Sequence, residues 1–268
     1  MHADFNADGM IAIGGFTQGD EQIGFGFGDF ALAYETGPWR ASLGMFGVVG
    51  RLHETYADIS YLAGQTRITV GFPRPAYDSV AISPFTKIMP RLSLETIGIS
   101  RSRGTYGTMY QSDFLPYGAV VDGQAGGARY GISLHGVPDW DVTIAGLGLA
   151  FTTDRIRTEI GLEAVDQEGV IDWNAKAQLT KEVGDFTFGT GIYMASANTQ
   201  PDVLEGFASY AVTDQWKITG ILRSPRDEDV THVIGVGHAV TQSVSVDLGV
   251  AATGTDDLAV ETALRFSF

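Results

Sequence analysis

Histidines and hydroxyl side chains are the residues of this chain that could supply a nucleophile or bind a metal ion. Ser133 and His135 lie two positions apart, so both side chains face the same way if the segment is a strand. No nearby asparagine completes a set in which a third group orients the histidine. His232 and His238 lack a third ligand at the spacing that zinc sites require. We therefore expect a protein that is not an enzyme and that holds no metal ion or cofactor.

Two further motifs have simpler explanations than ligand binding. The acidic segment 226–229 and the pair Asp256–Asp257 carry carboxylates that could bind calcium, but exposed loops carry such charges without a ligand. The glycine-rich segment Gly24–Gly28 resembles a phosphate-binding loop only superficially, because neither a lysine nor a helical pattern follows it. We expect this segment to be strand glycine beside aromatic residues.

The charged residues between positions 73 and 113 form the most informative cluster. This stretch has a formal charge of +2, whereas the whole chain has a net charge of −15. Five of the nine prolines lie between 73 and 116, and proline cannot donate a hydrogen bond to a β-ladder. The stretch is therefore a long loop, and its apolar residues indicate a packed one. Its charged residues are Arg74, Asp78, Lys87, Arg91, Glu95, Arg101, Arg103 and Asp113.

The segments around this loop alternate between apolar and polar residues. At the end of the chain, Leu258, Leu264 and Phe268 share one face, whereas Glu261 and Arg265 lie on the other, which is the period of a β-strand. A soluble sheet buries its apolar face in a core, whereas a membrane barrel turns that face to lipid around a wet lumen. Other segments carry charges of both signs on their polar face, which favours a water-filled lumen.

Alternating segments recur about every 12 to 15 residues, as in a meander of long antiparallel strands. Near the C-terminus, tight turns alternate with longer acidic connections, which is typical of a barrel with two different rims. Fifteen strands are evident, and because single-chain bacterial barrels have an even number we predict sixteen, with fourteen as the alternative. We expect the missing strand between 73 and 125. The fifteen segments are 8–17, 20–36, 39–50, 54–63, 66–72, 126–136, 140–152, 155–165, 169–181, 184–196, 203–212, 215–223, 231–239, 243–252 and 257–268.

The composition agrees with an all-β protein and argues against several other classes. The chain has 35 glycines, and no run of about 18 apolar residues could form a transmembrane helix. A pI near 4.5 argues against a nucleic-acid partner, which needs a basic surface. The sequence begins without the pattern of a signal peptide, so we expect a mature form. Nothing indicates a domain boundary, and we expect one domain over residues 1–268.

These features resemble the general porins of Gram-negative outer membranes, in particular the alphaproteobacterial type. Five strands and then a long loop entered through Thr66–Pro73 resemble the porin order, and the closing Ala263–Phe268 is similar to the family's C-terminal strand. The resemblance covers essentially the whole chain. It implies an antiparallel transmembrane β-barrel whose loop, about 73–125, folds into the lumen as a constriction. It also implies a homotrimer in contact with outer-membrane lipid and lipopolysaccharide.

The function that the resemblance implies is passive diffusion of small hydrophilic solutes and ions through a water-filled channel. In the usual porin arrangement, loop carboxylates face wall arginines at the constriction. The matching residues here are Asp78, Glu95 and Asp113 in the loop and Arg40, Arg67 and Arg129 on the wall. This loop departs from the pattern because it carries more basic than acidic residues.

We hypothesise that Arg91, Arg101 and Arg103 help to line the constriction, in a loop that also carries Lys87, and favour passage of anions or zwitterions. The alternative is that these arginines pair with Glu95 or with the barrel wall. Unchanged reversal potentials in a salt gradient after all three arginines are replaced by glutamine would exclude the hypothesis.

Two other functions stay open from the sequence. One is a substrate-specific outer-membrane channel, and the other is a soluble β-barrel or β-sandwich binding module. The aromatic residues near strand ends distinguish these cases, because they lie at the lipid interface of a membrane barrel but in the core of a soluble protein. These residues are Tyr34, Trp39, Trp140, Tyr210 and Trp216.

Overall fold

The structure is a computed structural model that describes residues 3–49, 53–93, 101–102, 115–137, 141–196, 202–254 and 258–268. Sixteen strands form one closed antiparallel sheet, in which each strand pairs with its neighbours in sequence and β1 pairs with β16. The strands are β1 (Ala3–Gln18), β2 (Glu21–Thr36), β3 (Trp39–Val48), β4 (His53–Ala63), β5 (Thr66–Phe72), β6 (Tyr117–Ala125), β7 (Ala128–Val137), β8 (Val142–Thr153), β9 (Ile156–Gln167), β10 (Val170–Val183), β11 (Phe186–Ala195), β12 (Val203–Ala211), β13 (Trp216–Pro225), β14 (Thr231–Ala239), β15 (Val244–Thr253) and β16 (Ala259–Ser267).

Helical structure is short and lies in the connection between β5 and β6. Among the described residues it consists of a 3₁₀ turn at Ala76–Ser79, helix α1 at Phe85–Ile88 and helix α2 at Pro90–Ser93. In the described part of the chain, no helix is long and apolar enough to cross a membrane.

Strand β6 is the strand that alternation alone did not reveal. It falls in the interval where a missing strand was expected, and the predicted number of sixteen is confirmed. The loop therefore ends at residue 116, and its predicted extension to 125 was wrong. The outward positions of β6 include Ala119 and Gly123, whose small apolar surface gives a weak alternation signal.

The two rims of the barrel carry different connections. The rim where the first strand begins and the last strand ends, here called the terminal rim, carries turns of two or four residues. At one of them, Gly126 and Gly127 have φ of +57° and +82°, which a tight two-residue hairpin requires. The opposite rim, here called the loop rim, carries the connection from β5 to β6 and most of the other longer connections. The predicted asymmetry between the rims is thus confirmed.

The outer face of the barrel is apolar. In the last strand, Leu264 and Phe266 point outward beside Ile13 and Ile11 of β1, whose exposed fractions are 60% and 42%. Further exposed large apolar side chains are Leu43, Ile59, Val70, Ile132, Leu162, Leu179, Ile192, Leu204, Ile218, Leu222, Ile234 and Leu248. A continuous apolar exterior of this extent is the arrangement of a barrel that is embedded in lipid.

Exposed aromatic side chains form a partial ring around the exterior at the terminal rim, over β1 to β4, β11 to β13 and the C-terminus. The ring includes Phe5, Tyr34, Trp39, Tyr61, Phe186, Tyr210, Trp216 and Phe268. Some members pack on one another, since the ring centroids of Trp39 and Tyr61 are 4.9 Å apart. Such rings lie at the boundary between lipid and water in membrane barrels. Four of the five aromatic residues that the sequence suggested belong to the ring, and Trp140 lies outside the described residues.

The inner face of the barrel carries charged side chains of both signs, as the alternation predicted. Inward-facing charged residues are Asp29, Arg40, Glu54, Asp58, Arg67, Asp122, Arg129, Glu163, Lys176, Glu205, Arg223, Asp247, Glu261 and Arg265. The wall is therefore inverted relative to a water-soluble barrel, with its apolar rows outside and its charges inside.

We predict that the two faces of β10 respond oppositely to charge. Leu179→Arg places a cation on the outer face and is expected to destabilise the folded protein in lipid by about 2–4 kcal/mol. The adjacent Thr180→Arg places the same charge in the lumen and is the matched control. Urea unfolding of the protein refolded into lipid vesicles measures both effects, and equal losses in the two variants would contradict this orientation.

Candidate functional site: the inner loop and the lumen

The segment here called the inner loop, residues 73–93 together with 101–102, lies inside the barrel. Its 3₁₀ turn contacts β7, β8 and β9, whereas α1 contacts β14 and β15. Helix α2 contacts β16, β2 and β3. The inner loop thus extends from one wall of the barrel to the opposite wall and narrows the lumen between them.

Glycines on the wall provide the space that the inner loop occupies. A Cβ added at Gly148 would lie 2.5 Å from the carbonyl oxygen of Ala76, and a Cβ added at Gly249 would overlap the side chain of Met89. Any larger residue at these positions forces either the wall or the loop to move. The inward glycines therefore fit the wall to the loop at two separate places.

One end of the inner loop is held by β7. The backbone N–H of Ala76 donates to the hydroxyl of Ser133 at 3.1 Å, and Nε2 of His135 lies 2.9 Å from the carbonyl oxygen of Pro73. Both side chains are buried. The serine and histidine that invited comparison with a catalytic pair thus contact the loop backbone.

Two buried glutamates hold the middle of the inner loop. The Ser83 hydroxyl donates to the carboxylate of Glu205 at 2.7 Å, and Arg223 also donates to this carboxylate at 3.2 Å. The carboxylate of Glu261 accepts the backbone N–H groups of Arg91 at 3.0 Å and Leu92 at 3.1 Å. Because hydrogen bonds to ionised groups are about twice as strong as neutral ones, these carboxylates are the principal polar anchors of the loop.

Two loop arginines pack against β2, β3 and β4. Arg74 donates to Asp29 at 2.5 Å and lies 5.0 Å above the ring of Tyr56, whereas Arg101 lies 3.4 Å above the ring of Phe46. Burial lowers the pKa of the Arg74 guanidinium, but the charges around it, chiefly that of Asp29, together with the hydrogen bond to Asp29 raise it by more, so this pKa lies above its ordinary value. Both contacts are electrostatic attractions that the low dielectric of the interior strengthens.

An apolar cluster joins α1 and α2 to the wall near the loop rim. Phe85 and Met89 of the loop are buried with inward residues of the adjoining strands. The wall members are Ala12, Phe16, Phe25, Phe27, Phe46, Val48, Tyr56, Ile221, Val233, Ala251, Ala259 and Ala263. This part of the lumen is packed like a protein core, so open space is left elsewhere around the loop.

A cavity of about 560 Å³ lies beside the 3₁₀ turn, against β4 to β8 and towards the terminal rim. The cationic groups that line it are those of Arg67, Arg74 and Arg129, and Asp122 is among its acidic lining residues. Arg67 and Asp122 are direct neighbours on β5 and β6. This cavity, here called the large cavity, is the candidate functional site.

Charges alternate in sign along the wall that borders the large cavity. Successive strands from β3 to β7 present Arg40, Asp58, Arg67, Asp122 and Arg129 at inward positions. The carboxylate of Asp58 accepts a hydrogen bond from Ser42 at 2.6 Å. Alternating charges at fixed positions create an electric field across the cavity that orients water and sorts solutes by charge.

The structure places the residues predicted for the constriction in four different settings. Arg67 and Arg129 line the large cavity, and Arg40 lies on the same wall, 3.7 Å from Glu35. Lys87 is exposed to solvent on the far side of the loop. Asp78 is buried within the loop, where it accepts the backbone N–H of Ser102 at 2.6 Å. Glu95, Arg103 and Asp113 lie outside the described residues.

Arg91 and Arg101 occupy the fourth setting, with exposed fractions of 2% and 1%. Arg91 lies 4.9 Å above the ring of Phe16 and 3.6 Å from Glu21. These contacts correspond to the pairing with the wall that the sequence left open as the alternative. A role of Arg91 and Arg101 in selecting solutes at the constriction stays a prediction.

Several residues that define the site were not singled out from the sequence. They are Arg74, Glu205, Arg223, Glu261 and Arg265. Strand alternation predicts that the four strand residues point inward. It carries no signal for which of them contact the loop, because the path of the loop depends on packing between residues distant in sequence.

A closed sixteen-stranded sheet whose third loop-rim connection turns inward is the porin fold. The chain is similar in structure to a triple variant of the porin from Rhodopseudomonas blastica, with a TM-score of 0.73 and 16% identity over 99% of this chain and 100% of that chain. A second variant of the Rh. blastica porin aligns over the same shares with a TM-score of 0.72 and 16% identity. No protein-family model and no curated protein matches the sequence. At this level of identity the likeness establishes the fold.

We predict that larger residues at the wall glycines displace the inner loop. Gly235→Val and Gly249→Val place a side chain where Ile88 and Met89 now lie, and overpacking of this kind costs about 1–3 kcal/mol. Limited proteolysis of the folded protein in detergent is expected to cleave the loop about tenfold faster in these variants. Gly220→Val, which faces open space, is the control, and equal cleavage in all variants would contradict the docking contacts.

Proposed function

We propose that the protein is an outer-membrane channel through which small hydrophilic solutes and ions diffuse passively. The observation that carries this proposal is the inverted wall, with apolar rows outside and charges of both signs around the lumen. An apolar exterior argues against a soluble binding module, because copies of a protein with such a surface aggregate in water. The inward Ser133 and His135 contact the loop backbone, so the proposal includes no catalytic step.

The inner loop sets the size of the passage in this proposal. It crosses the lumen and leaves the large cavity of about 560 Å³ at one wall, which limits passage to small solutes. Wall arginines and aspartates face this space and replace part of the hydration of a passing ion. Passage then depends on solute size and charge rather than on a conformational cycle.

Conductance across a lipid bilayer tests this proposal directly. The refolded full-length protein is expected to insert into planar bilayers and to produce stepwise current increases in potassium chloride. Heat-modifiable migration on gels verifies that the protein is folded before it is added. A folded, inserted protein that produces no conductance steps would refute the channel function.

We predict that the wall arginines bias ion selectivity. Arg67→Glu combined with Arg129→Glu reverses two charges at the large cavity, and the reversal potential in a potassium chloride gradient is expected to shift towards that of a cation-selective channel. Arg155→Glu, at an exposed turn of the terminal rim, is the control for the change in net charge. A shift of the same size in the control would show that net charge rather than the cavity sets the selectivity.

The proposal extends to the location and the lipid contacts of the protein. Closed β-barrels of this kind with an even number of strands are typical of the outer membrane of Gram-negative bacteria. The aromatic ring at the terminal rim matches one membrane boundary, and acidic residues such as Asp227 and Asp229 are placed at the loop rim. In this orientation the loop rim faces the outer leaflet, where divalent ions join carboxylates to lipopolysaccharide.

We also propose a homotrimer, and a patch of small residues on the exterior supports it. Gly15 of β1 lies directly beside Gly24 of β2, and Gly26 and Gly28 occupy the next two outward-facing positions of β2. Thr262 of β16 lies on the other side of Gly15. A second copy packs closely against such a surface, because small residues let the backbones of two walls approach.

We predict that filling this patch dissociates the trimer. Gly24→Leu adds a bulky side chain to the patch and is expected to yield folded monomers in mild detergent, because it prevents close approach of the walls. Gly206→Leu, at an outward position with open space around it, is the matched control and keeps the trimer. Analytical ultracentrifugation measures the mass, and trimers in both variants would place the interface on another face.

A further inference from the structure

A second cavity lies across the lumen from the large cavity. It has a volume of about 150 Å³ and lies between α1 and the inner face of β12 to β16, towards the terminal rim. We call it the small cavity. Three cationic side chains and one carboxylate line it, those of Lys87, Lys217, Arg265 and Asp247. The hydroxyls of Ser209 and Thr219, which are 2.8 Å apart, also line it.

The register of β13 to β16 explains how the cations converge. Gly237 of β14 is paired with Lys217 of β13 on one side and with Asp247 of β15 on the other. The Cα atoms of Lys217 and Asp247 are therefore two strand spacings apart, roughly 9–10 Å. Gly237 has no side chain and leaves the floor between them open. Arg265 enters from β16, and Lys87 reaches the same space from α1. The four charged groups therefore come from four different elements.

The cations of the small cavity have charge and hydrogen-bond donors left over for an anion. The Arg265 guanidinium is oriented by Asp247 at 3.3 Å and by the carbonyl oxygen of Lys87, and its Nε has no partner among the described residues. Among the same residues, neither Lys87 nor Lys217 forms an ion pair or a side-chain hydrogen bond, and both are exposed to the lumen. One carboxylate of the cavity thus pairs with one of its three cations, and Lys87 interacts with Asp29 only at longer range.

We propose that the small cavity binds a phosphate-type oxyanion, either inorganic phosphate or the phosphate group of a monoester. Such a dianion accepts hydrogen bonds on all sides, and here ammonium, guanidinium and hydroxyl donors surround the space. The cavity holds about five water molecules at about 30 Å³ each, so a tetrahedral oxyanion fits with part of its hydration. A singly charged carboxylate uses fewer of these donors and binds more weakly.

This site deepens the proposed function, because it identifies a class of solute that binds in the lumen. The site rests on the proposed channel in one respect only, which is that phosphate reaches it through the water-filled lumen. A cationic binding site next to the passage raises the local concentration of phosphorylated solutes. The arginines of the large cavity lie on β5, on β7 and at the start of the inner loop, and they take no part in the site.

Isothermal titration of the folded full-length protein in detergent with inorganic phosphate tests the proposal. At low ionic strength the wild-type protein is expected to bind phosphate saturably, and the double variant Lys87→Gln with Lys217→Gln to bind at least tenfold more weakly. Lys181→Gln, an exposed lysine on the outer face of β10, is the matched control and keeps the wild-type affinity. Glycerol phosphate is expected to compete with phosphate, and acetate is not.

Three results would overturn the assignment: no saturable binding of phosphate to the wild-type protein, unchanged affinity in the double variant, or equal competition by acetate. The single variant Lys217→Gln, expected to weaken binding severalfold, replaces the double variant if that one fails to fold. Conductance in potassium chloride is measured separately on the same preparations. Conductance without phosphate binding refutes the site and leaves the channel intact, whereas phosphate binding without conductance refutes the channel alone.

Discussion

Closure of the hydrogen-bonded sheet is the constraint on which the rest of this structure depends. The pairing of β1 with β16 removes both sheet edges, so the backbone groups within the ladders find partners without water. Once the backbone is satisfied, the outer side chains are free to be apolar, and the inner ones can be charged. The two faces follow from one fact of strand geometry, which is that successive side chains point to opposite sides.

That same geometry made most of the barrel predictable from the sequence. Strong alternation in Leu258–Phe268 revealed the orientation of the last strand, and the acidic connections distinguished one rim from the other. Strand β1 begins at Ala3, five residues before its predicted start, because the outward positions Ala7 and Gly9 are small and give a weak alternation signal. Strand β6 was missed because three of its outward residues, Ala119, Gly123 and Ala125, are small, so its alternation is faint in the side chains.

The candidate site was less predictable, for a physical reason. Alternation tells which way Arg67 or Glu261 points, but the partner of each depends on where the inner loop crosses the lumen. That path results from many weak contacts between distant segments, such as Met89 against Gly249. The arginines show the difference clearly. All three of Arg74, Arg91 and Arg101 belong to one loop in the sequence, whereas the structure places each of them over a different aromatic ring of the wall.

The inward glycines have a consequence for how such a barrel evolves. Because Ile88 and Met89 fill hollows shaped by Gly235 and Gly249, a bulkier loop residue finds no room unless the opposing wall also changes. Related barrels are thus expected to alter their bore through paired replacements, with loop and wall inherited as matched sets. The outer surface obeys no such rule, since lipid adapts to any apolar shape, and it is free to drift residue by residue.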